Sequence, residues 1–148
     1  MSIELTINKR KRTLEPKAQE TLLDTLRGLG FASVKNACET TNCGLCTVLV
    51  DGLPKLSCAL WTMRLEGACI ETLEGIGEEL DPLRELMARE GGEQCGFCSP
   101  GFLMNALALK RRGESFDLEE LKSLMSGNLC RCTGYAAQMR ALKAYLEV

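Results

Sequence analysis

The chain has 148 residues, a net charge of −2, 45% hydrophobic and 5% aromatic residues, nine cysteines and no histidine. That length suits one domain or two small ones, and the absence of a basic stripe argues against a nucleic-acid partner. The missing histidine removes Rieske clusters, histidine-ligated zinc and Ser–His or Cys–His catalysis. An odd cysteine count, no apolar leader and no apolar run of membrane-spanning length point to a cytoplasmic protein whose cysteines bind metal.

Ile3, Leu5 and Ile7 alternate with polar residues and predict a half-buried strand. The polar run at residues 8–12, basic from Lys9 to Arg12, reads as a solvated turn leading to a second short strand near Thr13 and Leu14. Leu22, Leu23, Leu26 and Leu29 have helical spacing, and Gly28 and Gly30 stop that helix. A cysteine-rich loop follows. Residues 47–50 and 53–56 flank Asp51 and Gly52, a strong hairpin signal, and residues 68–73 give one more strand. Composition changes at residues 74–78, and everything beyond reads as helix. Asp81 and Pro82 start one, which Gly91 and Gly92 stop. Ser99 is expected to cap the next, with Pro100 in its first turn and Gly113 at its end. Asp117 and Glu120 form a capping-box pattern. The last helix places Tyr135, Met139, Leu142 and Leu146 on one stripe, with Thr133 as its expected cap. The fold class is α+β, a β-rich half followed by a helical half.

Eight cysteines fall into two sets. Cys38, Cys43, Cys46 and Cys58 have the spacing C-x4-C-x2-C with a fourth cysteine further on, which is the plant-type [2Fe–2S] pattern. Three thiolates from one tight loop wrap a cluster on one side, and the fourth closes it from a strand end. Gly44 is expected to let the backbone approach the sulfurs. A four-cysteine zinc site is the alternative, but zinc sites usually join two short matched pairs. Cys95 and Cys98, with the distant pair Cys130 and Cys132, form the second set, whose spacing alone also suits zinc. Each of these pairs precedes a helix start, where unpaired N–H groups favour a net negative cluster. Cys69, the ninth cysteine, reads as a buried free thiol in a strand.

Residues 38–58, the stretch QCGFCSPG at 94–101 and GNLCRCTGY at 127–135 together resemble the iron–sulfur subunit of the xanthine dehydrogenase family of molybdenum hydroxylases. The resemblance spans nearly the whole chain. It implies a β-grasp ferredoxin-like domain over residues 1–76 and an all-α four-helix [2Fe–2S]-binding domain over 77–148, with one cluster in each. It further implies an electron-transfer role without a catalytic residue of its own. Electrons would come from a molybdenum–pterin centre on a large subunit and leave to FAD on a medium subunit or to another acceptor. Gln94 and Cys132 match positions that lie against the pterin in that family, so Cys132 would both ligate iron and touch the cofactor. Ala37 and Thr41 depart from the family loop, which carries glycine at both places. The backbone there must avoid glycine-only angles, or Thr41 must accept strain. A free ferredoxin and a zinc-stapled interaction module are the competing readings. The former tends to be strongly acidic and lacks a helical cluster domain, and the latter would be colourless.

Overall fold

The computed structural model describes residues 2–147. Its first half is a five-stranded sheet, β1 (Ile3–Ile7), β2 (Arg10–Leu14), β3 (Thr47–Val50), β4 (Leu53–Leu56) and β5 (Cys69–Glu71), in the order β2-β1-β5-β3-β4. β1 and β5 run parallel, and the other pairs are antiparallel. Helix α1 (Leu22–Gly28) opens with a capping box of Thr21 and Asp24, so two orphan end groups of a short helix are satisfied locally. Its Leu22 and Leu26 pack with Ile3, Leu5, Ile7, Val48, Val50 and Ile70 on one face of the sheet.

The second half consists of α2 (Leu73–Ile76), α3 (Asp81–Glu90), α4 (Ser99–Arg112), α5 (Leu118–Met125) and α6 (Ala136–Glu147). Gly91 and Gly113 end α3 and α4 in the left-handed conformation, which glycine adopts without a Cβ penalty. The capping box of Asp117 and Glu120 on α5 is present.

β3 joins the halves. All four of its residues are buried. Val48 and Val50 face the α1 side, while Leu49 belongs to the helical core with Leu107, Met104 and Leu142. Strand side chains alternate between faces, so one strand serves both cores. At the rim, Arg111 near the end of α4 donates to Glu71 of β5 and to Glu79 at 2.6 and 2.8 Å. Among the described residues, no helix is long and apolar enough to cross a membrane.

Three sequence expectations change. The first turn is only Asn8 and Lys9, both at positive φ, and Ile7 pairs with Arg10. Two left-handed residues match the strand twist in a tight hairpin, so Arg10, Lys11 and Arg12 extend β2 instead of looping. Their charges line a sheet edge, a common guard against edge pairing. Ser99 is not the cap of α4: Cys98 holds that position, and the Ser99 hydroxyl is buried without a hydrogen-bond partner. Tyr135 lies outside α6 and is exposed, whereas Tyr145 is buried in its place.

Candidate metal centres

The first four cysteines come from the loop between α1 and β3 and from the short 3-10 turn after β4 (Ser57–Ala59). Cys43 and Cys46 are buried, while Cys38 and Cys58 are half-buried. Cys46 and Cys58 sulfurs lie 3.4 Å apart. The loop follows a tight course. Glu39 and Thr41 stand at φ +54° and +55°, and Gly44 at +74°. Asn42 N–H points to Cys38 Sγ at 3.5 Å. The amides of Asn42, Thr40 and Cys43 bring the Cys38 thiol down to about 6. Burial pushes Cys43 up, and burial together with Cys46 pushes Cys58 up to about 12.

The second four come from the turn before α4 and the turn before α6. Cys95 and Cys132 sulfurs are 3.5 Å apart and both residues are exposed. Cys98 and Cys130 lie further in. Burial, then the neighbouring Cys130, raises Cys98 to about 11. Burial works the same way on Cys130, but the Thr133 hydroxyl and N–H outweigh it and lower that thiol to about 7. Cys95 raises Cys132. A cavity of about 470 Å³ lies among these four thiols, walled also by Leu45 and Phe97.

These donors fit a two-iron core. Two sulfurs bonded to one tetrahedral metal at about 2.3 Å stand roughly 3.8 Å apart, close to the 3.4 and 3.5 Å of Cys46–Cys58 and Cys95–Cys132. Among the described residues, no three His, Cys, Asp or Glu side chains are placed to hold a single metal ion; the thiols are grouped as pairs. Buried thiols with raised proton affinity release those protons when a metal binds. A larger groove of about 710 Å³ between α5 and α6 contains no cysteine.

The two loops touch. Leu129 N–H donates to Cys43 C=O at 2.9 Å, which ties the residue before Cys130 to a residue of the other set. Asn128, buried, donates to Gly44 C=O at 3.1 Å and accepts from Asn105 on α4. A Cβ at Gly44 would collide with Gly127 C=O, and one at Gly101 with Gly44 C=O. The close approach at Gly44 is thus between the two loops, beyond the approach to sulfur that the sequence led us to expect.

Residues 5–73 match the 2Fe-2S iron-sulfur cluster binding domain family, and residues 72–143 match the [2Fe-2S] binding domain family. The nicotine 6-hydroxylase small subunit of Paenarthrobacter nicotinovorans is 40% identical, over 96% of this chain and 87% of that protein. The xanthine dehydrogenase iron-sulfur-binding subunit of Escherichia coli is 41% identical, over 91% and 87%. A chain in the crystal structure of quinoline 2-oxidoreductase from Pseudomonas putida 86 superposes with a TM-score of 0.87 at 39% identity, covering 97% of this chain and 90% of its own. This chain belongs to the iron–sulfur subunits of the xanthine dehydrogenase family of molybdenum hydroxylases. As such it is the [2Fe–2S]-binding, electron-transfer part of a multi-subunit molybdenum-dependent oxidoreductase.

In this iron–sulfur subunit Gln94 is exposed beside Cys95, on the same rim as Cys132. Cys69 is exposed, not buried. The alternation of β5 turns Ile70 inward and Cys69 outward, and the Cys69 backbone pairs with Asp51. Thr133 does not cap α6, which starts three residues later. Its hydroxyl lies 3.2 Å from Cys130 Sγ and accepts from Tyr135 N–H. The Tyr135 hydroxyl in turn accepts from Cys130 N–H at 2.8 Å. Sequence reading missed Asn105, Asn128 and Gln138. For Gln138 a signal existed: with Leu142 and Tyr145 it forms a helical stripe, so a polar residue stands at a core position.

Proposed function

We propose that this subunit carries electrons from a molybdenum–pterin centre on a large partner subunit, through two [2Fe–2S] clusters, to FAD on a medium subunit or to another acceptor. Cys38, Cys43, Cys46 and Cys58 hold one cluster, and Cys95, Cys98, Cys130 and Cys132 hold the other. When bound, such clusters supply one-electron oxidation and reduction at thiolate-ligated iron. The observation that carries this reading is the pairing of thiols in two sets, joined by the Leu129–Cys43 backbone hydrogen bond.

The chain's own residues set direction. Cys95, Cys132 and Gln94 occupy an exposed rim with Phe97, Leu129 and Tyr135, apolar side chains 47%, 44% and 38% exposed. This rim suits a partner that brings its pterin to Gln94 and Cys132. The first set lies behind it, with two of its thiols buried. We divide the chain into a ferredoxin-like domain over residues 1–76 and a helical domain over 77–148. The two hydrophobic clusters support two units, and Leu73 and Ile76 of α2 already pack on the helical side of the division. A cytoplasmic location fits a chain whose cysteines are kept as metal ligands rather than disulfides.

Elemental analysis of the complex purified from its host tests the reading. About four irons and four acid-labile sulfides per chain, with two EPR signals that develop at different potentials on reduction, are expected. Stoichiometric zinc at either set, or a single signal of one spin per chain, overturns it.

A further inference from the structure

Gln138 sits in the first turn of α6 and is 1% exposed. A buried side-chain amide is costly unless its polar atoms are paired. Its Nε2 lies 3.6 Å from Cys98 Sγ, and its Oε1 lies 3.1 Å from Thr133 Oγ1. Thr133 Oγ1 is also 3.2 Å from Cys130 Sγ, and Thr133 N–H donates to that sulfur at 3.4 Å. These donors all act on Cys98 and Cys130, the inner pair of the second set. A metal-bound thiolate has no proton to give, so only the NH₂ end of the amide can face it. Ligation therefore fixes the orientation of Gln138. Thr133 has one hydroxyl proton and two acceptors, Cys130 Sγ and Gln138 Oε1.

We propose that Gln138 is a positioning residue for the second cluster, which raises its reduction potential by donating to Cys98 Sγ, against a smaller opposing effect of its Oε1, which competes with Cys130 Sγ for the Thr133 hydroxyl proton. The inference rests on the assignment of that cluster to these cysteines. Hydrogen bonds to a thiolate favour the more negative, reduced state, because added charge spreads onto the sulfurs. The step is a one-electron reduction: one ferric iron becomes ferrous, an external reductant such as dithionite is oxidised, and no covalent bond or proton is exchanged.

The two donors are coupled. Removing Gln138 alone frees the Thr133 proton for Cys130 Sγ and offsets part of the loss. Isolating the amide requires a double-mutant cycle on the whole complex: wild type, Thr133→Val, Gln138→Leu and the pair, each titrated with dithionite and followed by EPR. Iron and sulfide are counted first; a wild-type complex without the second cluster overturns the functional assignment itself. With the cluster present, adding Gln138→Leu to Thr133→Val should lower its reduction equilibrium roughly tenfold, about 59 mV for one electron. Gln138→Leu alone should shift it less, and Thr133→Ser should behave as wild type. The other cluster's signal should not move. An unchanged potential on adding Gln138→Leu to Thr133→Val overturns the inference. If the Leu variants do not assemble the cluster, wild type and Gln94→Leu labelled with side-chain ¹⁵N-glutamine decide it. A nitrogen coupling to the reduced second cluster that persists in Gln94→Leu supports Gln138 as the donor, and its absence overturns it.

Discussion

Thr41 is a β-branched residue at φ +55° in the loop that carries the first three thiols. A side chain of that shape crowds the backbone in the left-handed region, at about 1–2 kcal/mol. Its hydroxyl donates to the adjacent Thr40 C=O at 2.7 Å. Thr41→Gly removes the crowding but adds entropy to the unfolded chain, worth ~0.5–1 kcal/mol, so a net gain of about 0.5–1 kcal/mol is expected. Slower loss of the first cluster on warming, followed by visible absorbance, checks it; equal or faster loss counts against strain at Thr41. At this scale the sequence was informative in two ways. Cysteine spacing marked all eight proposed ligands, because ligation imposes local spacing. The family resemblance left Thr41 two courses, angles open to any residue or strain, and the structure shows the second at Thr41 but no left-handed angle at Ala37. Cys69 was misread because an apolar neighbourhood in sequence does not tell which face a three-residue strand turns inward.

Among the elements, α4 does the most to hold the two loops together. Its first turn follows Cys98 directly, and Phe102 N–H donates to Cys98 C=O at 3.2 Å. Gly101 is buried in that turn, where a Cβ would meet backbone atoms of Gly44 and Leu45. Alanine normally favours a helix over glycine by about 1 kcal/mol, so Gly101→Ala on an exposed helix would stabilise. Here the collision is with backbone, which cannot rotate away. Gly101→Ala should destabilise by roughly 1–3 kcal/mol, the cost of overpacking, and should disturb both EPR signals, since Gly44 and Cys98 belong to different sets. Stability equal to or above wild type in denaturant titration would refute the close contact. The second hairpin and three helix ends were legible because Asp51-Gly52, Gly91, Gly113 and the Asp117–Glu120 box are local chemistry. The start of α4 was not: the turn that places Cys95 and Cys98 sets the cap, and Ser99 already falls inside the helix.

At the scale of the molecule, the order of a β-rich half and a helical half followed from periodicity alone. Their union did not. Leu49 sits between Val48 and Val50, three apolar residues that look alike in sequence, and only the sheet's position between α1 and α4 makes Leu49 part of the helical core. The same union determines which second-site thiols face outward. Cys98 and Cys130 are half-buried, while Cys95 and Cys132 remain at the surface, near the exposed Phe97, Leu129 and Tyr135. Contiguous exposed apolar groups of this kind mark interaction surfaces, and aromatic residues at an interface centre often contribute ~2 kcal/mol or more each. Tyr135 also braces Cys130 N–H, so the informative substitutions are Phe97→Glu and Leu129→Glu, whose half-exposed side chains stand at the rim of the cavity among the four thiols and supply no sulfur to it, while the Leu129 backbone keeps its bond to Cys43. Together they should release the chain from its large partner by at least roughly 100-fold in affinity, with iron and sulfide content retained. Co-purification through a high-salt wash measures this. Unchanged recovery of the partner would move the interface away from the Cys95–Cys132 rim, and with it the proposed entry point for electrons.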